Sequence, residues 1–148
     1  IAVKAAAEDK ELFSSLVLTG AAGLKPRRSI SYRLKRLRFL TAKRFFPKEK
    51  LEKYYSADYR ALNDVMRKSF VKIVGEHLDG TAAFVENPVL LVYGAEDRET
   101  PLYMAKRYHK YIRGSRLIVI PRAGHFCFAE QAAAFNYPVR EFLLSSKE

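Results

Sequence analysis

Asp97 and His125 are the two residues of this sequence whose types and positions best suit acid–base chemistry. Asp97 lies three residues past the apolar run that ends at Gly94, and His125 lies five residues past the run that ends at Ile120. A carboxylate that accepts a hydrogen bond from an imidazole fixes the tautomer of that imidazole and stabilises its protonated form. The two residues would therefore supply the acid and the general base of a nucleophile–base–acid relay.

Other reactive groups lie close to both residues in the sequence. Glu96 and Glu99 flank Asp97, and the composition of the GAEDRE segment predicts that both are solvated turn residues. Cys127 lies two residues from His125, a spacing at which side chains rarely meet in the geometry of a cysteine–histidine pair. We therefore expect Cys127 to be a buried structural thiol.

Three apolar runs would have to position Asp97 and His125. They cover residues 16–20, 89–93 and 116–120, and each is short, continuous and bounded by small or turn-forming residues. Runs of this kind are typical of buried parallel strands. Because helical patterns separate them, the sequence predicts an α/β fold with a parallel sheet. Ligands of such sheets bind at the carboxyl ends of the strands, where both residues fall.

Helical periodicity fills the segments between and around these strands. It predicts helices at residues 1–13, 29–45, 51–54, 58–80, 101–113 and 128–144. Gly80 would end the fourth of these helices, and Thr100 would cap the fifth, in which Pro101 takes the first position. Pro138 would kink or split the last one, because proline lacks the backbone N–H of a helix interior.

The composition is that of a globular domain without a membrane span. The chain has 148 residues, of which 49% are hydrophobic and 13% aromatic. No run approaches the roughly 18 apolar residues that a membrane crossing requires. The single cysteine cannot form an internal disulfide, and no apolar signal-peptide run opens the chain, so we expect a cytoplasmic protein. Three strands make a thin sheet, and Ile1 falls inside a helical pattern, so further strands are expected upstream.

The net charge of +11 is concentrated in one segment. Residues 25–53 contain twelve Lys or Arg residues and two acidic residues, a net charge of +10, and the rest of the chain is close to neutral. Such a segment could bind nucleic acid or an anionic membrane surface. We favour a solvated helical face over both, so nucleic acid is not expected as a partner.

The segments around Asp97 and His125 resemble one family, the α/β-hydrolases. In that family an apolar strand leads into G-x-x-D and a proline, and about 25–30 residues later a second strand leads into a Gly-His loop and a final helix. PVLLVYGAEDRETP and RLIVIPRAGHFCFAEQAAAFNYPVREFL are similar to these segments. The matching positions are Gly94, Asp97, Pro101, Gly124, His125, Glu130, Phe135, Asn136, Phe142 and Leu143.

The opening of the chain resembles the same family, since a helix followed by LVLTGAAG is what comes after its nucleophile elbow. The resemblance implies a partial parallel sheet of an α/β-hydrolase fold with a helical cap insertion. Residues 1–24 and 81–148 would form the core, and residues 25–80 the cap. It also implies that Asp97 and His125 are catalytic, in the order of acid before histidine that these enzymes share.

The nucleophile elbow G-x-S-x-G of that family is absent from the sequence. By the family pattern it would lie upstream of Ile1, in a missing N-terminal half that is the expected partner of this chain. The resemblance implies a serine hydrolase of the esterase type that acts on a small-molecule substrate and uses no metal or organic cofactor. We expect this chain alone to be inactive, because His125 has no nucleophile to activate.

Two alternatives remain open at this point. The elbow could hold Asp or Cys in place of Ser, and with Asp the family also contains dehalogenases and epoxide hydrolases. Alternatively, the protein is a hydrolase-like scaffold without catalysis, and its basic helical module binds nucleic acid or anionic surfaces.

Overall fold

The computed structural model describes residues 1–27, 30–45 and 57–146 of the chain. The chain divides into two compact units, Ile1–Lys25 with His77–Glu148 and Pro26–Glu76. The first unit carries the sheet, and the described part of the second is helical. The role of residues 25–80 as a cap stays a prediction.

In the described residues, three parallel strands form the sheet: β1 (Leu16–Thr19), β2 (Val89–Gly94) and β3 (Arg116–Ile120). Strand β2 lies between the other two, and the register pairs Leu18 with Leu91 and Val92 with Ile118. All six residues of β2 are buried, which explains its continuous apolar sequence. The predicted α/β fold with a parallel sheet is confirmed, and its strands lie where the apolar runs predicted them.

Helices cover both faces of this sheet. The helices of the described residues are α1 (Ala2–Glu8), α2 (Ile30–Phe45), α3 (Ala57–Ala61), α4 (Asp64–Gly75), α5 (Leu102–Tyr111), α6 (Cys127–Glu130) and α7 (Ala132–Ser145), with 3₁₀ turns at Lys10–Leu12 and Thr81–Phe84. Alternate residues of β2 enter two apolar cores: Leu91 lies in the core that includes residues of α1 and α5, and Leu90 lies in the core that includes Phe142 of α7. Apolar packing on both faces of the sheet therefore fixes β2, and with it the position of its carboxyl end.

The helix predicted over residues 58–80 is wrong in two respects. It is split in two, because the Asn63 side chain caps the start of α4 by accepting a hydrogen bond from the Met66 N–H at 2.9 Å. It also ends at Gly75 rather than Gly80. The chain leaves the helix there, since the buried Leu78 joins the core of the first unit and its N–H donates to the Gly23 carbonyl at 2.8 Å.

The first helix ends at Glu8, short of the predicted residue 13, and two later helices also differ from the predictions. The last helix is interrupted at Gln131, between α6 and α7, and Pro138 lies inside α7. Helix α5 begins at Leu102 without a side-chain cap, so Thr100 does not cap it. The Thr100 hydroxyl donates to the charged Asp97 carboxylate.

The second unit exposes apolar side chains as well as charged ones. Leu34 and Leu37 of α2 are exposed, and so are Val65 and Ile73 in the predicted apolar stripe of α4. The short helix predicted through residues 51–54 lies outside the described residues. Within the described ranges, no helix combines the length and the apolar character that a membrane crossing needs.

Candidate active site

The turn that follows β2 buries the Asp97 side chain completely and surrounds its carboxylate with donors. Oδ1 accepts hydrogen bonds from the backbone N–H groups of Glu99 and Thr100, both at 2.8 Å. Oδ2 accepts from the Thr100 hydroxyl at 2.6 Å and from Nδ1 of His125 at 2.9 Å. A buried carboxylate needs such partners, because an unpaired charge in an apolar interior is costly.

These contacts decide the ionisation of Asp97. Burial alone raises the pKa of the carboxyl group, since it penalises the charged form. The hydrogen bonds from the Thr100 hydroxyl, from His125 and from the two backbone N–H groups outweigh burial and lower the pKa below its usual value. Asp97 is therefore ionised at neutral pH and can accept the Nδ1 proton of His125.

The loop that follows β3 holds His125 by its backbone on both sides. The Glu130 carboxylate accepts from the Gly124 N–H at 2.7 Å and from the Phe126 N–H at 3.2 Å. Glu130 belongs to α6, so the helix that follows the loop fixes the backbone N–H groups of the two residues that flank the histidine. Arg122 in the same loop has a φ of +53°, a conformation that non-glycine residues rarely adopt and that marks a tightly determined turn.

The end of β1 supplies a third part of the site. Gly20 has a φ of +51°, and a Cβ atom there would lie 2.9 Å from Cε1 and 3.0 Å from Nδ1 of His125. Only glycine satisfies both the backbone conformation and the space beside the imidazole. Next to it, the Tyr93 hydroxyl donates to the Ala21 carbonyl at 2.9 Å and so ties this loop to β2. Burial raises the pKa of Tyr93, which keeps the hydroxyl a donor at neutral pH.

The other ring nitrogen of His125 points away from Asp97. The His125 side chain is 27% exposed, and its Nε2 lies 3.7 Å from the exposed carboxylate of Glu99. That distance exceeds a hydrogen bond, and the two groups form an ion pair only when the imidazole is protonated. Since Nδ1 donates to Asp97, Nε2 of the neutral imidazole carries the lone pair and can accept a proton.

The structure brings Asp97 and His125 together, and of the nearby rival acids Glu99 lies beside Nε2 of His125 on the solvent-exposed side. Glu96 is exposed, and Cys127 is fully buried, with its Sγ 3.5 Å from the Thr19 hydroxyl. The contacts of Thr100, Glu130 and Gly20 were not predicted. Glu130 belonged to the family pattern but had no assigned role.

The described residues contain no group of three or more His, Cys, Asp or Glu that could hold a metal ion. The expectation that the chemistry needs no metal or cofactor stays a prediction.

Comparison with known sequences gives a family match over more than half of the chain. The family described as TAP-like protein matches residues 71–148. A pimeloyl-(acyl-carrier protein) methyl ester esterase of Neisseria meningitidis serogroup C is 41% identical over 59 residues, which is 40% of this chain and 23% of that protein. Serine hydrolase BPHL of Homo sapiens is 36% identical over 59 residues, 40% of this chain and 20% of that protein.

Comparison of structures extends the likeness to nearly the whole chain. The meta-cleavage product hydrolase CumD of Pseudomonas fluorescens has a TM-score of 0.63 and 22% identity, and the match covers 98% of this chain and 61% of that one. The chain thus spans about three fifths of the length of the solved hydrolase, and the matches to curated relatives span about a quarter or less of theirs.

Proposed function

The chain belongs to the α/β-hydrolase family, and on that premise we propose that it supplies the general base and the acid of an ester hydrolase. His125 is the base and Asp97 is the acid. The observation that carries this assignment is the 2.9 Å hydrogen bond from Nδ1 of His125 to the buried Oδ2 of Asp97. Both groups stand at the carboxyl ends of neighbouring parallel strands, where the sites of α/β sheets lie.

In the proposed reaction, a hydroxyl nucleophile attacks the ester carbonyl and gives its proton to Nε2 of His125. The imidazolium that forms is stabilised by the Asp97 carboxylate, which itself stays ionised. His125 then returns the proton to the leaving alkoxide, and the acyl group remains on the nucleophile. Water attacks the acyl group by the same proton path, which releases the carboxylic acid and restores the nucleophile.

The nucleophile of this proposal lies outside the sequence. G-x-S-x-G is absent from the 148 residues, and the solved hydrolase is longer than the part that this chain matches. We assign a serine to an upstream segment of the intact protein because one relative is named a serine hydrolase. The oxyanion hole, which supplies a large part of the rate in such enzymes, would come from that segment as well.

A carboxylic methyl ester is the first substrate to test, because the Neisseria relative is named a methyl ester esterase. The assay compares the intact protein, its His125→Ala variant and the 148-residue chain on methyl and p-nitrophenyl esters. We expect turnover by the intact protein, a loss of at least about a thousandfold in kcat for the variant, and no turnover by the chain alone. Turnover by the chain alone that depends on His125 would refute the placement of the nucleophile.

A matched pair of variants tests the role of the acid. Asp97→Asn keeps the shape of the side chain but favours the wrong imidazole tautomer, so kcat should fall by about three to four orders of magnitude. Glu96→Gln, at the neighbouring exposed acid, should change kcat by less than about twofold. Equal effects of the two substitutions would contradict the assignment of Asp97.

A second candidate function concerns the basic segment of the insertion. Arg36, Arg38, Lys43 and Arg44 of α2 are all exposed, which favours binding of an anionic partner by a scaffold without catalysis. Binding of duplex DNA at low salt, weakened by Arg36→Gln with Arg38→Gln and by added salt, would support this candidate. Esterase turnover without any such binding would favour the first.

A further inference from the structure

We propose that Thr100 is a positioning residue whose hydroxyl orients the Asp97 carboxylate toward His125. The inference rests on the proposed function for its kinetic consequence, and on the geometry of the two loops for its structural part. Thr100 is buried, with 4% of its surface exposed, and it contacts Asp97 through two separate groups.

The two groups of Thr100 donate hydrogen bonds to both oxygens of the carboxylate. The Thr100 backbone N–H donates to Oδ1 at 2.8 Å, and the Thr100 hydroxyl donates to Oδ2 at 2.6 Å. A carboxylate held at one oxygen only can turn about its Cβ–Cγ bond, and the oxygen that faces the histidine would turn with it. Donors at both oxygens remove that freedom, so Oδ2 stays directed at Nδ1 of His125.

The hydroxyl has a single proton, and its position decides what the residue does. The Thr100 oxygen lies 2.6 Å from Oδ2 of Asp97 and 3.4 Å from Nδ1 of His125. The proton therefore goes to the carboxylate, the closer and stronger acceptor. The Nδ1 proton of His125 is then also donated to the carboxylate, so that Oδ2 accepts one hydrogen bond from Thr100 and one from His125.

The side chain of Thr100 does not cap the helix that follows it. A threonine before a proline at a helix start usually caps the helix through its side-chain oxygen. Helix α5 has no side-chain cap, and the contacts of the buried Thr100 hydroxyl are with Asp97 at 2.6 Å and with His125 at 3.4 Å. Gly20 packs on the same group, since a Cβ there would lie 3.4 Å from the Thr100 oxygen and nearer still to the imidazole.

The test compares Thr100→Val, which keeps the shape and removes the hydroxyl, with Thr100→Ser, which keeps the hydroxyl. In the intact protein we expect Thr100→Val to lower kcat for a methyl ester about tenfold with little change in KM, and Thr100→Ser to stay within about threefold of wild type. If the valine variant fails to fold, Thr100→Ala takes its place, since it also lacks the hydroxyl and adds no methyl group where the hydroxyl was. The same fall in kcat is expected of it.

A readout that does not depend on turnover comes from NMR of the protein with ¹⁵N-labelled histidine. The resonance of the Nδ1 proton of His125, identified by its loss in His125→Ala, should move in Thr100→Val and keep its wild-type position in Thr100→Ser. An unmoved resonance together with an unchanged kcat in Thr100→Val would overturn the inference. A resonance that moves only in Thr100→Val, in a protein that hydrolyses no ester, would uphold the positioning role and refute the proposed function instead.

Discussion

Gly94 and Gly124 meet backbone against backbone where the acid loop and the histidine loop pass each other. A methyl group on Gly94 would overlap the carbonyl oxygens of Gly124 and Ala123. Beside this contact, the Ala95 N–H donates to the Ile120 carbonyl and the Glu96 N–H to the Ala123 carbonyl, both at 2.9 Å. The strand pairing thus continues into the loops, and it brings together two side chains that lie 28 residues apart in sequence.

Replacement of Gly94 by alanine should therefore disturb the candidate site and the fold together. The added methyl group meets backbone atoms that cannot rotate away, so we expect a loss of about 1–3 kcal/mol in the free energy of unfolding. Esterase activity of the intact protein should fall with it, because the two loops must separate. Urea denaturation gives the stability, and Gly80→Ala is the control, since a Cβ on Gly80 would meet no atom within 4 Å. Equal stability of the two variants would contradict the close contact.

The pKa of Asp97 predicts a pH dependence of stability. Burial raises this pKa, but the hydrogen bonds of Thr100, His125 and the backbone bring it below the ordinary value of 3.8. A group with a lowered pKa stabilises the fold above its unfolded value, and the contribution is lost as pH falls through the folded value. The free energy of unfolding of wild type should therefore exceed that of Asp97→Asn at pH 6, and the difference should shrink below about pH 4. A difference that stays constant from pH 6 to pH 3 would show that Asp97 is not held as a charged group.

Glu130 should matter for activity although it does not touch Asp97. Its carboxylate accepts from the backbone N–H groups of the residues on both sides of His125, and a glutamine can accept only one of these bonds without turning a donor toward the other. We expect Glu130→Gln to lower kcat about tenfold and to cost about 1 kcal/mol of stability. Glu141→Gln, at an exposed acid of α7, is the matched control. If the two variants have the same kcat, the loop does not depend on Glu130.

Arg107 of α5 should hold the two ends of the insertion together. Its guanidinium donates to the Lys25 carbonyl at 2.6 Å and pairs with the Asp79 carboxylate, which also accepts from the Lys25 N–H at 2.9 Å. We expect Arg107→Gln to lose about 1–2 kcal/mol of stability and to speed cleavage by trypsin within residues 26–76.

Arg113→Gln is the control for that experiment, because Arg113 is exposed beyond the end of α5. Limited proteolysis followed by mass spectrometry locates the cuts in both variants. Unchanged cleavage in Arg107→Gln would mean that this arginine does not secure the ends of the insertion.

Local pattern was sufficient for the strands and for the candidate pair. Val89 to Tyr93 is a continuous apolar run between turn-forming residues, which is typical of a strand that is buried on both faces. Asp97 and His125 follow two such runs, so their place at one edge of the sheet followed from the parallel topology. Their catalytic role stays a prediction.

The helix boundaries were less predictable, because competing local signals decide them. The apolar stripe predicts a single helix, but a new helix begins after Asn63. The Asn63 side chain accepts a hydrogen bond from the Met66 N–H, which in an unbroken helix would donate to a backbone carbonyl. The end at Gly75 depends on Leu78, which leaves the helical path to enter a core built from residues far away in the sequence. The spacing of the apolar residues predicts neither the helix start after Asn63 nor the helix end at Gly75.

The sequence by itself determined the order of strands and helices, the charge of the insertion and the identity of the candidate acid and base, because each depends on residue type and short-range spacing. Only the tertiary structure decided which donors surround Asp97, that Thr100 donates to the carboxylate and does not cap the helix start, and that Gly20 and Gly94 must lack side chains. These are contacts through space between loops that the sheet brings together, and a hydrogen bond or a steric overlap depends on distances of a few tenths of an ångström that no local pattern encodes.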